Sequence, residues 1–217
     1  VVGNTDIDKA YDYLKGEFEK VERNYTSLPE PVFVGKSEKV NNHLERIDVK
    51  QGKLVLGFRV DVKPNDNLAK AMRSFSDIFG GGPYSKLFAN VREKMSLCYY
   101  CSSSYDSIKG IMYINSGVEG ENLEKAEKAI LKEIEDMKNG EITDFEIEAT
   151  KLAVVNSFKS SSDSVSGIEN WYTGRIFNGD LETVEEVSAE VNAVTKEQIV
   201  NAANKLLLDT VYVLKNK

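Results

Sequence analysis

The chain contains a single histidine, His43, and this count decides which metal chemistry the chain can support. A catalytic zinc site needs about three protein ligands from histidine, glutamate, aspartate or cysteine, with one position left open. The inverted zinc motif His-x-x-Glu-His needs two histidines, so this sequence cannot complete such a site by itself. A Ser-His-Asp triad could use only His43, and no Gly-x-Ser-x-Gly elbow accompanies it. We therefore predict that His43 is a surface or edge residue.

The two cysteines, Cys98 and Cys101, lie in the segment Ser-Leu-Cys-Tyr-Tyr-Cys-Ser, which is typical of a strand. Residues three apart in a regular strand point to opposite faces of the sheet. This spacing predicts that the two thiols are badly placed to chelate a metal together or to form a redox disulfide. A thioredoxin-type motif would also be followed by a helix, and none follows here. Unpaired thiols are typical of a reducing compartment, so we expect a cytoplasmic protein.

Three consecutive glycines, Gly80–Gly82, precede Pro83-Tyr84-Ser85-Lys86. The run lacks the spacing of a phosphate loop and follows a predicted helix rather than a strand. It is either a flexible connection between two helices or a place where another backbone approaches closely, and the residues alone leave both possibilities open. The many carboxylates over 121–148 are predicted to form a solvated helix face with ion pairs rather than a paired-carboxylate active site.

One longer block, residues 80–99, is more informative than any of these features. It resembles the C-terminal domain of the pitrilysin/insulinase-type inverzincins, the zinc metallopeptidases that include the processing peptidases. These often carry Gly-Gly-Gly-x-x-Ser-x-Leu-Phe, then Arg-Glu-Lys, then Leu-x-Tyr. The matching positions here are Gly80, Gly81, Gly82, Ser85, Leu87, Phe88, Arg92, Glu93, Lys94, Leu97 and Tyr99. Many relatives have glycine where this chain has Cys98, but a run this long at fixed spacing is fairly specific.

The resemblance implies roles for two side chains of this block. In the family, the matching arginine and tyrosine reach across to a zinc site in the opposite half of the protein. Arg92 is expected to offer planar donors to a substrate carbonyl or carboxylate. Tyr99 is expected to donate its phenol hydrogen to the oxyanion that forms when zinc-bound hydroxide attacks the peptide. Peptide contacts are also implied at Gly80–Gly82 and Ser85.

Spacing alone leaves other roles open for the same two residues. Arg92 could pair with Glu93, and Tyr99 could be a core or interface aromatic residue. The resemblance favours the functional interpretation of both, with Arg92 near the end of a helix and Tyr99 on the strand that follows.

The resemblance also implies what surrounds this chain. Zinc is expected in the full-length protein, bound by an N-terminal half that would precede Val1, and none is expected to be bound by residues 1–217. These residues would then form one C-terminal domain, inactive alone, that binds a peptide substrate and completes the active site of that half or of a partner subunit. The alternative is a non-catalytic subunit of a homo- or heterodimer, acting in assembly or substrate capture. A third possibility is an unrelated ligand-binding module.

The elements that position these residues follow from periodicity and turn signals. Alternation of apolar residues predicts a strand over 53–62, and Thr143 with Glu146 forms a predicted capping box. The other predicted strands cover 1–3, 97–105, 111–118 and 210–214, and the predicted helices cover 7–21, 67–79, 84–94, 121–138, 143–159, 167–177, 182–189 and 195–207. This order, with one hairpin among the helices, predicts an α+β fold with a mixed, largely antiparallel sheet and helices packed on one face.

The bulk composition excludes two classes of function. The net charge is −7 and the basic residues are interspersed with acidic ones, so the chain offers no basic face for nucleic acid. No apolar run approaches the ~18 residues that suggest a membrane span. Hydrophobic residues make up 41% of the sequence, which is typical of a soluble globular protein.

Overall fold

The computed structural model of the chain describes residues 1–27, 29, 32–178 and 181–217. The chain divides into two compact units. One comprises Val1–Glu30 and Val155–Ala189, and the other comprises Pro31–Val154 and Glu190–Lys217. The block from Gly80 to Tyr99 belongs entirely to the second, larger unit, so this unit positions the candidate site. That residues 1–217 act as one C-terminal domain of a longer chain stays a prediction.

A five-stranded sheet organises the larger unit. Its strands are β1 (Asn41–Arg46), β2 (Gly52–Val60), β3 (Cys98–Asp106), β4 (Ile111–Val118) and β5 (Leu206–Lys215). They lie in the order β1-β5-β2-β4-β3. β1 pairs with β5 in parallel, and the other neighbouring strands are antiparallel. The predicted mixed, largely antiparallel sheet is confirmed.

The helices complete the α+β fold. They are α1 (Ile7–Glu19), α2 (Ala69–Gly80), α3 (Leu123–Lys138), α4 (Asp144–Ser161), α5 (Val165–Asn178), α6 (Val184–Ala193) and α7 (Lys196–Ala203), with a π-helix at Leu87–Lys94 and a 3₁₀ turn at Gly120–Asn122. α2, α3 and α7 pack on one face of the sheet and share its core, where Phe75, Ile130 and Ile199 are almost completely buried. The predicted one-sided packing of helices is therefore confirmed.

The alternation along β2 explains why the core lies on that face. Leu54, Leu56, Phe58 and Val60 are buried, while the residues between them are more exposed. Successive side chains of a strand point to opposite faces, so this spacing places every second residue under the helices. Burying each such side chain contributes about 1.5–3 kcal/mol. The strand expected over 53–62 is thus found, with slightly earlier ends.

Local capping interactions fix where the helices begin. Thr143 and Glu146 form the predicted reciprocal cap: the backbone N–H of Thr143 donates to the Glu146 carboxylate at 2.8 Å, and the Glu146 N–H donates to the Thr143 hydroxyl at 3.2 Å. A second capping box joins Thr195 and Gln198 at the start of α7. Each cap satisfies backbone donors that the first turn leaves unpaired.

Two expectations about the elements are wrong. Residues 1–3 form no strand, because two apolar residues do not by themselves supply a pairing partner. The last helix ends at Ala203, and β5 begins at Leu206, so the helix predicted over 195–207 is too long. The helix predicted over 84–94 is found over Leu87–Lys94, where it has the wider π form. In addition, β1 was not foreseen as a strand, because it is a largely exposed edge strand and lacks an apolar alternation.

The smaller unit contains a local polar and aromatic cluster. The Trp171 indole donates to the Glu182 carbonyl oxygen at 3.0 Å, and Arg175 forms an ion pair with the Glu182 carboxylate at 2.8 Å. Phe158 packs edge-on against Trp171, with 5.2 Å between ring centroids. Across the ranges that the structure describes, no helix combines the length and apolar character that a membrane crossing requires.

Candidate functional site

Gly80 ends α2, and its backbone packs tightly against β3. A β-carbon at this position would lie 2.5 Å from the backbone nitrogen of Ser103, which is closer than such atoms can approach. Ser103 also ties the two elements together, since its hydroxyl donates to the Ser76 carbonyl oxygen at 2.6 Å. Of the two interpretations that the sequence left open for the glycine run, close backbone approach is therefore correct at Gly80.

Gly81, Gly82 and Ser85 lead from α2 into the π-helix. A β-carbon at Gly81 would meet the Asp77 backbone at 2.8 Å, and one at Gly82 would meet the Tyr84 ring at 2.9 Å. Ser85 is 1% exposed, and its hydroxyl accepts a hydrogen bond from the Phe88 N–H at 3.4 Å. These contacts shape the entry into the next helix. The peptide contacts expected of the three glycines and Ser85 stay a prediction.

The π-helix determines which side of the chain carries Arg92. The Met95 N–H donates to the Asn90 carbonyl oxygen at 2.9 Å, the i+5 bond of a widened helix. Leu87 and Val91 are fully buried against the core. Phe88 and Arg92 share a different face, where the guanidinium lies 4.5 Å from the ring centroid. Short π-helices often mark functional sites, and here the widened turn fixes the arginine on an aromatic platform.

A tight reversal joins the π-helix to β3. Ser96 has φ of 52°, a left-handed conformation that is uncommon for residues other than glycine. Its hydroxyl lies 3.3 Å from the Glu93 carbonyl oxygen and donates to it. The Leu97 N–H donates to the Val91 carbonyl oxygen at 3.1 Å. These bonds turn the chain so that β3 starts beside the end of the π-helix.

A β-bulge then presents Tyr99. Cys98 lies opposite Val118, and Tyr100 lies opposite Gly117, so Tyr99 is an extra residue in β3. Its side chain is 57% exposed. The Arg92 Nε–H donates to the Tyr99 carbonyl oxygen at 2.8 Å, which satisfies a group that the bulge removes from the ladder. Bulges commonly redirect a side chain next to an active site, and this one points Tyr99 away from the core.

Arg92 and Tyr99 line one open cavity of about 380 Å³ together with Glu119, which directly follows β4. The Tyr99 hydroxyl donates to the Glu119 carboxylate at 2.6 Å. This hydrogen bond, and then the negative charge of the same carboxylate, raise the pKa of the Tyr99 phenol above its ordinary value. Arg92 also contacts the Glu93 carboxylate at 3.3 Å, the pairing that spacing alone had left open.

Sequence reasoning missed Glu119. The only sequence feature that pointed to Glu119 was its position directly after the second strand of the predicted hairpin. The side chain is brought to Tyr99 by the register between β3 and β4, and the bulge changes that register.

The bulge also overturns the expectation for the two cysteines. Cys98 lies opposite Val118 and Cys101 lies opposite Ser116, and these two residues of β4 are two positions apart. Both cysteines therefore face the core side of the sheet. The prediction that they point to opposite faces is wrong, because the extra residue restores the spacing of same-face neighbours.

A second titratable group lies partly buried near the glycine run. Asp77, in the last turn of α2, has its pKa raised to about 6 because burial penalises its charged form, an effect that Arg73 partly opposes. The phenol pKa of Tyr84 is also raised, first by the partial burial of Tyr84 itself and then by the negative charge of Asp77. Asp77 is therefore a second group whose ionisation the fold controls.

Within residues 1–27, 29, 32–178 and 181–217, no group of three or more histidine, cysteine, aspartate or glutamate side chains could hold a metal ion. His43 lies exposed on the edge strand β1, as expected. The residues described here thus do not fit a zinc site.

The chain spans about half the length of the curated relatives it matches. It is 34% identical over 215 residues to "Probable inactive metalloprotease YmfF" of Bacillus subtilis, covering 99% of this chain and 50% of that protein. It is 23% identical over 219 residues to "Zinc protease PqqE" of Helicobacter pylori, covering 97% of this chain and 48% of the relative. The relatives therefore include one named as inactive and one named as a zinc protease.

Solved structures show the same architecture. A conserved protein from Enterococcus faecalis is 35% identical with a TM-score of 0.77, over 83% of this chain and 43% of that one. A protease from Helicobacter pylori has a TM-score of 0.87 at 22% identity, over 99% of this chain and 54% of that one, which shows the fold alone. The family model described as "Peptidase M16 inactive domain" matches residues 1–154. With the resemblance over Gly80–Tyr99 confirmed in this way, the chain belongs to the peptidase M16 inactive domain family.

Proposed function

We propose that this chain is the substrate-binding half of a zinc-dependent peptidase and that Tyr99 and Arg92 act on a bound peptide. The observation that carries the proposal is that both side chains line one open cavity with Glu119. In this proposal the zinc belongs to another part of the protein, and the residues described here act on the substrate alone.

The exposed phenol of Tyr99 supports the first role. Its hydroxyl already donates one short hydrogen bond, to a carboxylate at the cavity wall. A substrate oxygen that gains negative charge during peptide hydrolysis can accept the same hydrogen in place of Glu119. Such a donor is useful because it is in position before the charge develops, and its removal typically costs about 3–4 kcal/mol of transition-state stabilisation.

The fixed guanidinium of Arg92 supports the second role. Stacking on Phe88 and the hydrogen bond to the Tyr99 carbonyl oxygen hold the planar group at the cavity. A guanidinium held in this way can donate to a peptide carbonyl or a carboxylate without losing much conformational freedom. Because the same side chain supports the bulge, Arg92 also positions Tyr99.

The relatives support the assignment at the level of the whole protein. Several are named as zinc proteases, and this chain matches about half of each. Peptide hydrolysis by the full-length protein, and a homo- or heterodimeric state, are part of the proposal.

The test is peptide cleavage by the full-length protein carrying Tyr99→Phe or Arg92→Ala. We expect Tyr99→Phe to lower kcat by about 100- to 1,000-fold while leaving KM less affected, because a donor used in the transition state is removed. Tyr100→Phe is the matched control, since Tyr100 is an exposed neighbour that does not line the cavity. Unchanged kcat in both the Tyr99 and Arg92 variants of an active protein would refute the proposed roles.

A second candidate is a non-catalytic subunit of such a peptidase. It is favoured by the relative at 34% identity, which is named as inactive. Zinc analysis and peptide cleavage by the full-length protein, alone and with any partner subunit, separate the two. One zinc per chain with cleavage supports the peptidase, whereas neither zinc nor cleavage in the protein alone supports the non-catalytic subunit.

A further inference from the structure

Cys98 and Cys101 are the only cysteines of the chain, and the bulge in β3 makes them neighbours. An unbroken strand would separate residues three apart onto opposite faces. Here the extra residue lets both side chains lie on the core side of the sheet, where Cys101 belongs to the core and Cys98 packs against it. A disulfide requires two cysteines that lie close together on one side of the backbone, and the bulge makes Cys98 and Cys101 neighbours on the same face.

The two thiols differ in their access to solvent. Cys98 is partly exposed and lines the same cavity as Arg92, Tyr99 and Glu119. Cys101 is 7% exposed and packs within the core. A reagent that enters the cavity therefore reaches Cys98 first, while Cys101 lies behind it.

The electrostatic environment gives the two thiols different reactivity. The hydrogen bond from Cys101 lowers the pKa of the Cys98 thiol, and the positive charge of Arg92 adds to this despite partial burial. The same hydrogen bond and burial raise the pKa of Cys101. Because the thiolate is the attacking species, Cys98 has the character of the entering nucleophile and Cys101 that of the resolving thiol.

We propose that Cys98 and Cys101 form a thiol pair that is oxidised by low-molecular-weight disulfides to an intramolecular disulfide across the bulge. The Cys98 thiolate attacks one sulfur of the reagent, forming a mixed disulfide and releasing one thiolate, which takes up a proton. Cys101 then loses its proton and attacks Cys98, releasing the second thiol. One reagent disulfide is reduced to two thiols, and the two cysteines are oxidised to one disulfide. This modification site does not depend on the proposed peptidase function.

Mass spectrometry of the full-length protein tests the proposal directly. The reduced, folded protein is treated with oxidised glutathione, residual thiols are alkylated, and trypsin releases Met95–Lys109, which contains both cysteines and no internal lysine or arginine. We expect this peptide to lose two hydrogen atoms and to resist alkylation, and dithiothreitol to reverse both changes. A peptide that remains fully alkylated, or that carries glutathione on either cysteine, would overturn the proposal.

Two variants assign the order of attack. Cys101→Ser should leave a stable mixed disulfide with glutathione on Cys98, because the resolving thiol is absent. Cys98→Ser should react far more slowly, because the remaining thiol is buried. Equal reactivity of the two variants would refute the assigned roles, and circular dichroism of each variant controls for unfolding. Should serine at the buried position disturb the fold, Cys101→Ala gives the same comparison, and the unsubstituted protein tests disulfide formation by itself.

Discussion

The Tyr99 hydroxyl donates a 2.6 Å hydrogen bond to the carboxylate of Glu119 across the mouth of an open cavity. Tyr99 is the extra residue of the bulge in β3, and Glu119 directly follows β4, the strand that pairs with β3. Glu119 therefore controls the ionisation of the phenol, because its carboxylate accepts the phenol hydrogen and places a negative charge beside it.

Glu119→Gln should lower the pKa of the Tyr99 phenol toward its ordinary value. The shift has this sign because the hydrogen bond and the negative charge of Glu119 both raise that pKa, and a neutral amide removes the charge. The pKa of Tyr99 is measured from phenolate absorbance during a pH titration. The same titration of a matching protein that also carries Tyr99→Phe is subtracted, so that only the Tyr99 signal remains. If the difference titration of Tyr99 is the same with Glu119 and with Gln, the carboxylate does not control the phenol.

Gly80→Ala should destabilise the larger unit by about 1–3 kcal/mol, as expected when an added methyl group has no room. The added β-carbon would meet the Ser103 backbone nitrogen at 2.5 Å, and neither α2 nor β3 can move without disturbing the core. Denaturant unfolding measures the loss. Gly120→Ala is the matched control in the same unit, since a β-carbon there meets nothing within 4 Å. Equal stability of the two variants would show that the close approach at Gly80 does not affect the free energy of unfolding.

Much of this arrangement could be predicted from sequence because it depends on local patterns. The alternation along β2, the glycine run after α2 and the cap of Thr143 and Glu146 each involve residues close together in the chain. The resemblance over Gly80–Tyr99 adds the helix-turn-strand order that brings Arg92 near Tyr99. These features are fixed by short-range periodicity and capping, which a single sequence displays.

The parts that could not be predicted depend on register between strands. The turn at Asp106 would by itself place Cys98 opposite Glu119, but the bulge at Tyr99 shifts the pairing so that Cys98 lies opposite Val118. This one-residue change places both cysteines on one face of the sheet and leaves Glu119 in contact with Tyr99. β1 was missed for a different reason: an exposed edge strand has no buried face, so its residues carry no alternation.

Asp77→Asn should stabilise the protein at neutral pH and have little effect in acid. Burial raises the pKa of Asp77 from 3.8 to about 6, so the folded state holds a proton more tightly than the unfolded state does. Stability therefore falls as pH rises from 3.8 to about 6, and the full cost remains above that range. The cost is at most about 3 kcal/mol, since one pKa unit corresponds to about 1.4 kcal/mol.

The measurement for Asp77 is the free energy of unfolding as a function of pH, compared between the variant and the unsubstituted protein. Glu124→Gln, which removes an exposed carboxylate of α3, is the control and should show no comparable gain at neutral pH. A gain from Asp77→Asn that is independent of pH would mean that packing, rather than ionisation, accounts for it.

Lys86→Met should destabilise the larger unit by about 3 kcal/mol, the lower end of the range for removing one partner of a buried ion pair. Lys86 follows the glycine run, and its Nζ lies 2.8 Å from the Glu146 carboxylate, with side chains only 8% and 18% exposed. The substitution leaves that carboxylate partly buried without its cation. Denaturant unfolding measures the loss, and Lys109→Met, which breaks an exposed pair with Asp106, should cost less than about 1 kcal/mol.

The double variant Lys86→Met/Glu146→Gln separates the charge effect from packing. Glutamine can keep the cap on Thr143 while removing the buried charge, so the double variant should be more stable than Lys86→Met alone. The gain arises because the penalty in the single variant comes from an uncompensated carboxylate rather than from lost attraction. If the two losses simply add, Glu146 is hydrated well enough to remain charged without Lys86, and the ion pair does not hold the start of α4 against the π-helix.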